Sequence, residues 1–208
     1  MKYILGVDFD NTIVTYDEVL HHKAVAWGMI GVDERKNKKN IRDKIRQLPD
    51  GETAWQRLQA YAYGQAMDEA RLIEGVKMFF HACKNDGIRV SIISHKTEFA
   101  ARDEYGINLR EAAGTWMIRN GFFDKDGLGL RQENIYFEPT RQNKIARVKT
   151  LGCTHFIDDL EETFLEDSFP EAVEKILYDP YQQQSVVSPI KSFVSWKAIY
   201  DYFFERRG

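Results

Sequence analysis

Short apolar runs that alternate with amphipathic helical stretches predict an α/β protein built on a doubly wound parallel sheet. An unbroken helical block after the first run predicts a small inserted unit, because a bare crossover needs only one helix. Several of the apolar runs end in polar groups, and open parallel sheets bind ligands beyond the carboxyl ends of their strands.

The first run, Ile4, Leu5 and Val7, reads as a buried strand that delivers Asp8 and Asp10. Alternation along a strand puts these two carboxylates on one face and Phe9 on the other. Two such acids are tolerated when a cation sits between them or when one stays protonated. Oxygen ligands of this kind suit Mg2+. The competing reading is an Asx-rich turn, with Asn11 and Thr12 opening a helix.

From Tyr16 to about Glu74 the pattern is helical. Val19, Leu20, Val25, Ala26 and Met29 predict one helix closed near Gly31. Ile41 and Ile45 predict a second, running to Leu48 and stopped at Pro49-Asp50-Gly51, and Trp55, Leu58, Tyr61 and Ala62 a third. No strand-like alternation interrupts this block. Alternation then resumes with a helix through Val76, Phe79, Phe80 and Cys83, and a strand through Val90, Ile92 and Ile93 that ends at Ser94-His95-Lys96. Leu109, Ala113, Trp116 and Met117 mark the next helix, and Gly121 to Gly129 a loop. Ile135 to Phe137 read as a strand, Ile145, Val148 and Leu151 as a helix. His155 to Ile157 read as a strand running into Asp158-Asp159, and Val173 to Tyr178 as the last strand. Trp196, Ile199, Tyr200 and Phe203 form an amphipathic tail helix, suited to the core or to an interface, which leaves the oligomeric state open.

The 208 residues suffice for a core with an inserted unit, and 43% hydrophobic content supports a packed interior. A net charge of -3 argues against a nucleic-acid polymer as partner. The 2 cysteines, far apart, argue against a disulfide framework and for a reducing compartment. No signal peptide and no membrane-length apolar stretch is evident, so a cytoplasmic protein is expected. No repeat, paired Cys-x-x-Cys or His-x-x-Glu-His spacing appears, which disfavours zinc.

Strand ends thus bring Asp8 and Asp10, Ser94, and Asp158 and Asp159 to one edge, with Lys144 near the start of the preceding helix. On these residues the chain resembles the haloacid dehalogenase (HAD) superfamily of phosphohydrolases, from Tyr3 to about Pro180. Asp8-Phe9-Asp10-Asn11-Thr12 matches the first motif, Ile92-Ile93-Ser94 the second and Phe156-Ile157-Asp158-Asp159 the fourth. Lys144 fits the lone lysine of the third, with Lys149 as a rival; its short distance from Asp158 is similar to the deoxyribonucleotidase-like branch.

The resemblance implies a Rossmann-like core, residues 1–14 and 74–208, with a helical cap at 15–73 that closes over the site and chooses the substrate. It implies that Asp8 is the nucleophile, that Asp10 protonates the leaving oxygen and later deprotonates water, and that dehalogenase chemistry is disfavoured by the acid at position 10. Mg2+ would bridge Asp8, the Asp10 carbonyl and Asp159, with Asp158 farther out. Ser94, Lys144 and the backbone amide of Phe9 would hold phosphoryl oxygens. His95 touches substrate or is a satisfied structural histidine. Trp27, Trp55 and Tyr61 are substrate neighbours or packing residues.

The expected activity is Mg2+-dependent hydrolysis of a small phosphomonoester, a metabolite, nucleotide or sugar phosphate, through an aspartyl-phosphate. A catalytically idle domain that binds a phosphorylated ligand or protein partner is the alternative, and transfer to an acceptor other than water would use the same residues. Asp158-Asp159 as a helix cap, Ser94 as an ordinary strand-end hydroxyl, and Arg35 to Arg46 as a solvated basic face are the competing structural readings.

Overall fold

The computed structural model describes residues 3–183 and 189–205. The chain divides into two compact units. The first, residues 1–13, 72–96 and 120–208, contains a six-stranded parallel sheet. Its strands are β1 (Ile4–Val7), β4 (Arg89–His95), β5 (Ile135–Glu138), β6 (His155–Asp158), β7 (Glu174–Tyr178) and β8 (Lys191–Phe193), in the spatial order β5-β4-β1-β6-β7-β8. Helices α4 (Val76–Asn85), α6 (Arg141–Thr150) and α8 (Trp196–Phe204), with the short α7 (Glu161–Phe164), complete the unit.

The central strands are apolar along their length because a parallel sheet is covered on both faces. Leu5, Val7, Ile92, Ile93, Phe156 and Ile157 are fully buried. In register, Val7 lies opposite Ile92 on one side and Ile157 on the other, so β1 and β6 end within one residue of each other while β4 runs three residues further, to His95. Gly6 sits where a Cβ would come 2.6 Å from Phe156 Cδ2; its missing side chain is what lets that ring lie against the middle of β1. Thr140 caps α6 and Ser195 caps α8, each accepting a backbone N–H three residues on at 3.1 Å. The tail helix packs on α4 through Phe79, Trp196 and Phe203, with ring centroids 5.1 to 5.5 Å apart. The Trp196 indole also donates to the Thr12 carbonyl at 2.8 Å, tying the tail to the loop that follows β1.

The second unit, residues 14–71 and 97–119, holds α1 (Asp17–Ala26), α2 (Lys38–Ile45), α3 (Gly51–Tyr63) and α5 (Leu109–Arg119). Here the structure departs from the sequence reading. Residues 97–119 were expected in the core, but α5 packs with α3 and with the 3-10 turn Met67–Glu69, and the buried Trp116 indole donates to the Ala70 carbonyl at 2.9 Å. Those contacts are distant in sequence, and no periodicity reports them. The first helix stops at Ala26 rather than near Gly31, because Gly28 takes a left-handed φ of 68° and the Met29 N–H turns back to the Ala24 carbonyl. Two 2-residue strands, β2 (Val14–Thr15) and β3 (Arg71–Leu72), pair with each other, where no strand was expected. The three-residue β8 is too short to show an alternation.

Gly75 precedes α4 with φ 89°, and a Cβ there would lie 2.8 Å from Trp196 Cβ. Gly75→Ala is expected to destabilise the protein by about 1–3 kcal/mol, from strain and displacement of the tail helix. Urea unfolding should show a lower midpoint at unchanged slope.

Candidate functional site

The carboxyl ends of β1, β4 and β6 set the site. β1 continues its ladder one residue further, where the Asp8 N–H donates to the Ile157 carbonyl at 2.8 Å, so Asp8 lies beside the end of β6. Carboxylate oxygens of Asp8, Asp158 and Asp159 come within 4.8 Å of one another. Asp8 and Asp158 are buried and Asp159 is half-buried. The Asp158 Oδ1 accepts the Leu160 N–H at 3.0 Å, the short-range cap contact expected of an Asx residue at a helix start. Thr12 Oγ1 stands 3.4 Å from Asp8 and 3.4 Å from Asp159, linking the two carboxylates.

Two buried lysines face these acids. Lys144, on the first turns of α6, places Nζ 2.6 Å from Asp8 Oδ1 and 2.7 Å from Asp158 Oδ2. Lys149 is exposed on the last turn of the same helix, so the lysine at the site is Lys144. Lys96 follows β4, where its N–H donates to the Glu138 carbonyl at 2.9 Å. Its ammonium lies 3.1 Å from Asp10 Oδ1 and 2.9 Å from Oδ2. The Asp10 carboxylate lies outside the cluster of Asp8, Asp158 and Asp159, paired with Lys96; the metal contact expected at position 10 is its backbone carbonyl. Phe9 points to the other side, as alternation requires, and packs edge-on against Phe137. Ser94 is buried at the end of β4. His95 is exposed there, and burial of part of its ring followed by the Lys144 charge lowers its pKa.

Sequence inspection gave no role to Lys96, two positions past Ser94, and gave Thr12 only as the last residue of the first motif. A lysine after a strand is ordinarily a solvated residue, and only its burial separates it from that class.

The electrostatics are those of an incompletely compensated acidic pocket. Burial raises the Asp8 pKa from 3.8 to about 6; the Lys144 charge opposes the shift, and the Asp158 and Asp10 charges add to it. Burial would by itself lower the Lys144 pKa, but Asp158 and then Asp8 outweigh it and the ammonium is held charged. The asymmetry has a simple cause. Lys144 faces two anions, whereas Asp8 faces one cation and further anions.

In the second unit, Trp55 is buried as a packing residue. Trp27 is half-exposed and lies near Tyr61, and Lys23 Nζ sits 4.1 Å from the Tyr61 ring centroid and 5.0 Å from that of Trp27. These three residues, with Arg57, Arg102 and Tyr105, line a cleft of about 500 Å³. In the basic stretch, Lys36 pairs with Glu18, Lys44 with Glu34 and Arg46 with Glu52. Those pairs make much of it an ion-paired surface rather than an open field of positive charge.

No protein-family model matches the chain, and no curated protein matches it. Solved structures do. A HAD family hydrolase from Deinococcus radiodurans, with bound phosphate and sodium, superposes with a TM-score of 0.59 at 14% identity, covering 97% of this chain and 95% of its own. A phosphoserine phosphohydrolase-like protein from Francisella tularensis gives 0.59 at 12% identity, over 97% of this chain and 100% of the other. A predicted phosphoglycolate phosphatase from Haemophilus somnus gives 0.57 at 13% identity, over 97% and 98%. The parallel sheet, its strand order and these neighbours together give the chain the fold of the HAD-superfamily hydrolases.

Proposed function

We propose that the chain hydrolyses small phosphomonoesters with Mg2+, through an aspartyl-phosphate formed on Asp8. The charge balance of the pocket supports this reading most. Four carboxylates, Asp8, Asp10, Asp158 and Asp159, meet two ammonium groups, Lys96 and Lys144, leaving two negative charges to be neutralised. Burial raises the Asp8 pKa and the Asp158 and Asp10 charges add to the shift; a divalent cation would offset both. Hard carboxylate oxygens suit Mg2+; Asp8, Asp158 and Asp159 would hold it. When bound it supplies charge neutralisation between an anionic nucleophile and an anionic ester.

The protein groups carry the remaining work, which in phosphoryl transfer is positioning and charge stabilisation. An Asp8 oxygen bonds to phosphorus as the ester P–O bond breaks, and Asp10 gives the leaving oxygen its proton. Water then gives a proton to Asp10 and bonds to phosphorus, and the Asp8–phosphorus bond breaks to release phosphate. Lys144, Ser94 and the Phe9 amide hold phosphoryl oxygens, and His95 stands at the exposed rim. In this reading the second unit, 14–71 with 97–119, is the cap that selects the substrate, a phosphorylated metabolite, nucleotide or sugar. The names of two structural neighbours, a phosphoserine phosphohydrolase-like protein and a predicted phosphoglycolate phosphatase, support phosphate esters as the substrate class. Cys83 and Cys153 are buried and form no disulfide, in keeping with a cytoplasmic setting. No helix among the described residues is long and apolar enough to cross a membrane.

Phosphate release from a panel of monoesters tests the reading. Turnover should require Mg2+, stop with EDTA, and fall by at least about 10³-fold in Asp8→Asn. Binding of phosphorylated ligands with no turnover across the panel would instead favour the idle domain. The Asp8 pKa of about 6 predicts a pH dependence. A raised carboxyl pKa favours the metal-free fold at low pH, and that contribution is lost as pH rises through about 6. Mg2+ binds the ionised form, so its thermal stabilisation should be large at neutral pH and fade as pH falls through about 6. Lys144→Met leaves two buried carboxylates without their shared cation, and should cost about 3–5 kcal/mol in EDTA, with part regained in Mg2+.

A further inference from the structure

Lys96 is buried to 3% exposure and forms an ion pair with Asp10, outside the three acids that would hold the metal. Burying an ammonium is costly unless it is paired, and the Asp10 carboxylate supplies a charge partner. The two contacts, 3.1 Å to Oδ1 and 2.9 Å to Oδ2, engage both oxygens and so set the direction of the carboxyl group as well as its place. The lysine is itself held firmly. Its N–H is bonded to the Glu138 carbonyl at 2.9 Å, and its ammonium lies 5.8 Å from the centroid of the Phe9 ring.

We infer that Lys96 is a positioning residue, which holds the Asp10 carboxyl in the orientation from which it exchanges protons with the leaving group and with water. The inference rests on the phosphatase reading above. Asn11, next to Asp10, takes a left-handed φ of 62°. Without Lys96 the carboxyl loses the two contacts that set its direction, and a proton-transfer group that is misplaced by about 1 Å loses on the order of 10²-fold.

The role is separable from packing and from phosphate binding through the leaving group. A good leaving group such as 2,4-dinitrophenolate departs without a proton, whereas phenolate needs one. Lys96→Met should therefore lower kcat for phenyl phosphate by about 10²-fold at nearly unchanged KM. With 2,4-dinitrophenyl phosphate the first release of dinitrophenolate should keep its rate, and later phosphate release should slow, giving a burst. In an Asp10→Asn background the same substitution should cost less than about 3-fold more, because the group it positions is already gone. A first release slowed equally for both esters, a raised KM, or losses that add to those of Asp10→Asn would overturn the inference. Circular dichroism checks the fold, and Lys96→Gln, which keeps a hydrogen-bond donor, carries the same comparison if Lys96→Met does not fold. If the unaltered protein turns over neither ester, the phosphatase reading fails first and this inference falls with it.

Discussion

Four carboxylates gathered at one sheet edge are the constraint on which the rest of this structure turns. Such a group repels itself and loses hydration, so it persists only where cations are built in beside it. The protein builds in two. Lys144 sits between Asp8 and Asp158 and answers for both, while Lys96 answers for Asp10. The residual negative charge is the property from which the proposed chemistry follows, since it would attract a divalent cation to the place where, in the proposed reaction, an anionic ester approaches an anionic nucleophile.

Holding that arrangement is a task for the backbone. β1 lies between β4 and β6 in parallel register, so Asp8 and Asp158 arrive side by side while β4 runs on to carry Ser94 past them. The pairing is secured by apolar side chains on both faces, by Gly6 yielding its place to the Phe156 ring, and by α6 packing over β4 and β5 to bring Lys144 in. The loop after β1 carries Asp10 and Thr12, and it is tied at the Thr12 carbonyl by Trp196, which belongs to a helix nearly the whole chain away. An aromatic tail that read as core or interface is thus part of what fixes the acidic loop.

The second unit differs in character. Its four helices pack through small apolar contacts such as Ile41, Ile45 and Leu58, and much of its charge is spent in surface ion pairs. It carries a cleft with aromatic and cationic walls but no cluster of acids. Acids on the sheet and polar and aromatic groups on the helices are what the proposed function asks for, with reaction in the first unit and substrate choice in the second.

Much of this was legible in the linear chain. Periodicity identified the core strands and most helices, because burial on two sheet faces or on one helix face imposes a pattern on neighbouring residues. The motif acids were visible for the same reason: Asp8, Asp10, Asp158 and Asp159 sit at strand ends, and a strand end is a local property. What the sequence could not express was which distant groups meet. Lys96 and Thr12 look like ordinary polar residues until the fold buries them, and Lys144 and Lys149 are equivalent until helix α6 turns one inward. The grouping of 97–119 with the inserted helices was hidden in the same way. The sequence by itself determined the elements and the acids they carry; the tertiary structure alone decided the counter-ions, because an ion pair depends on distance in space and leaves no period along the chain.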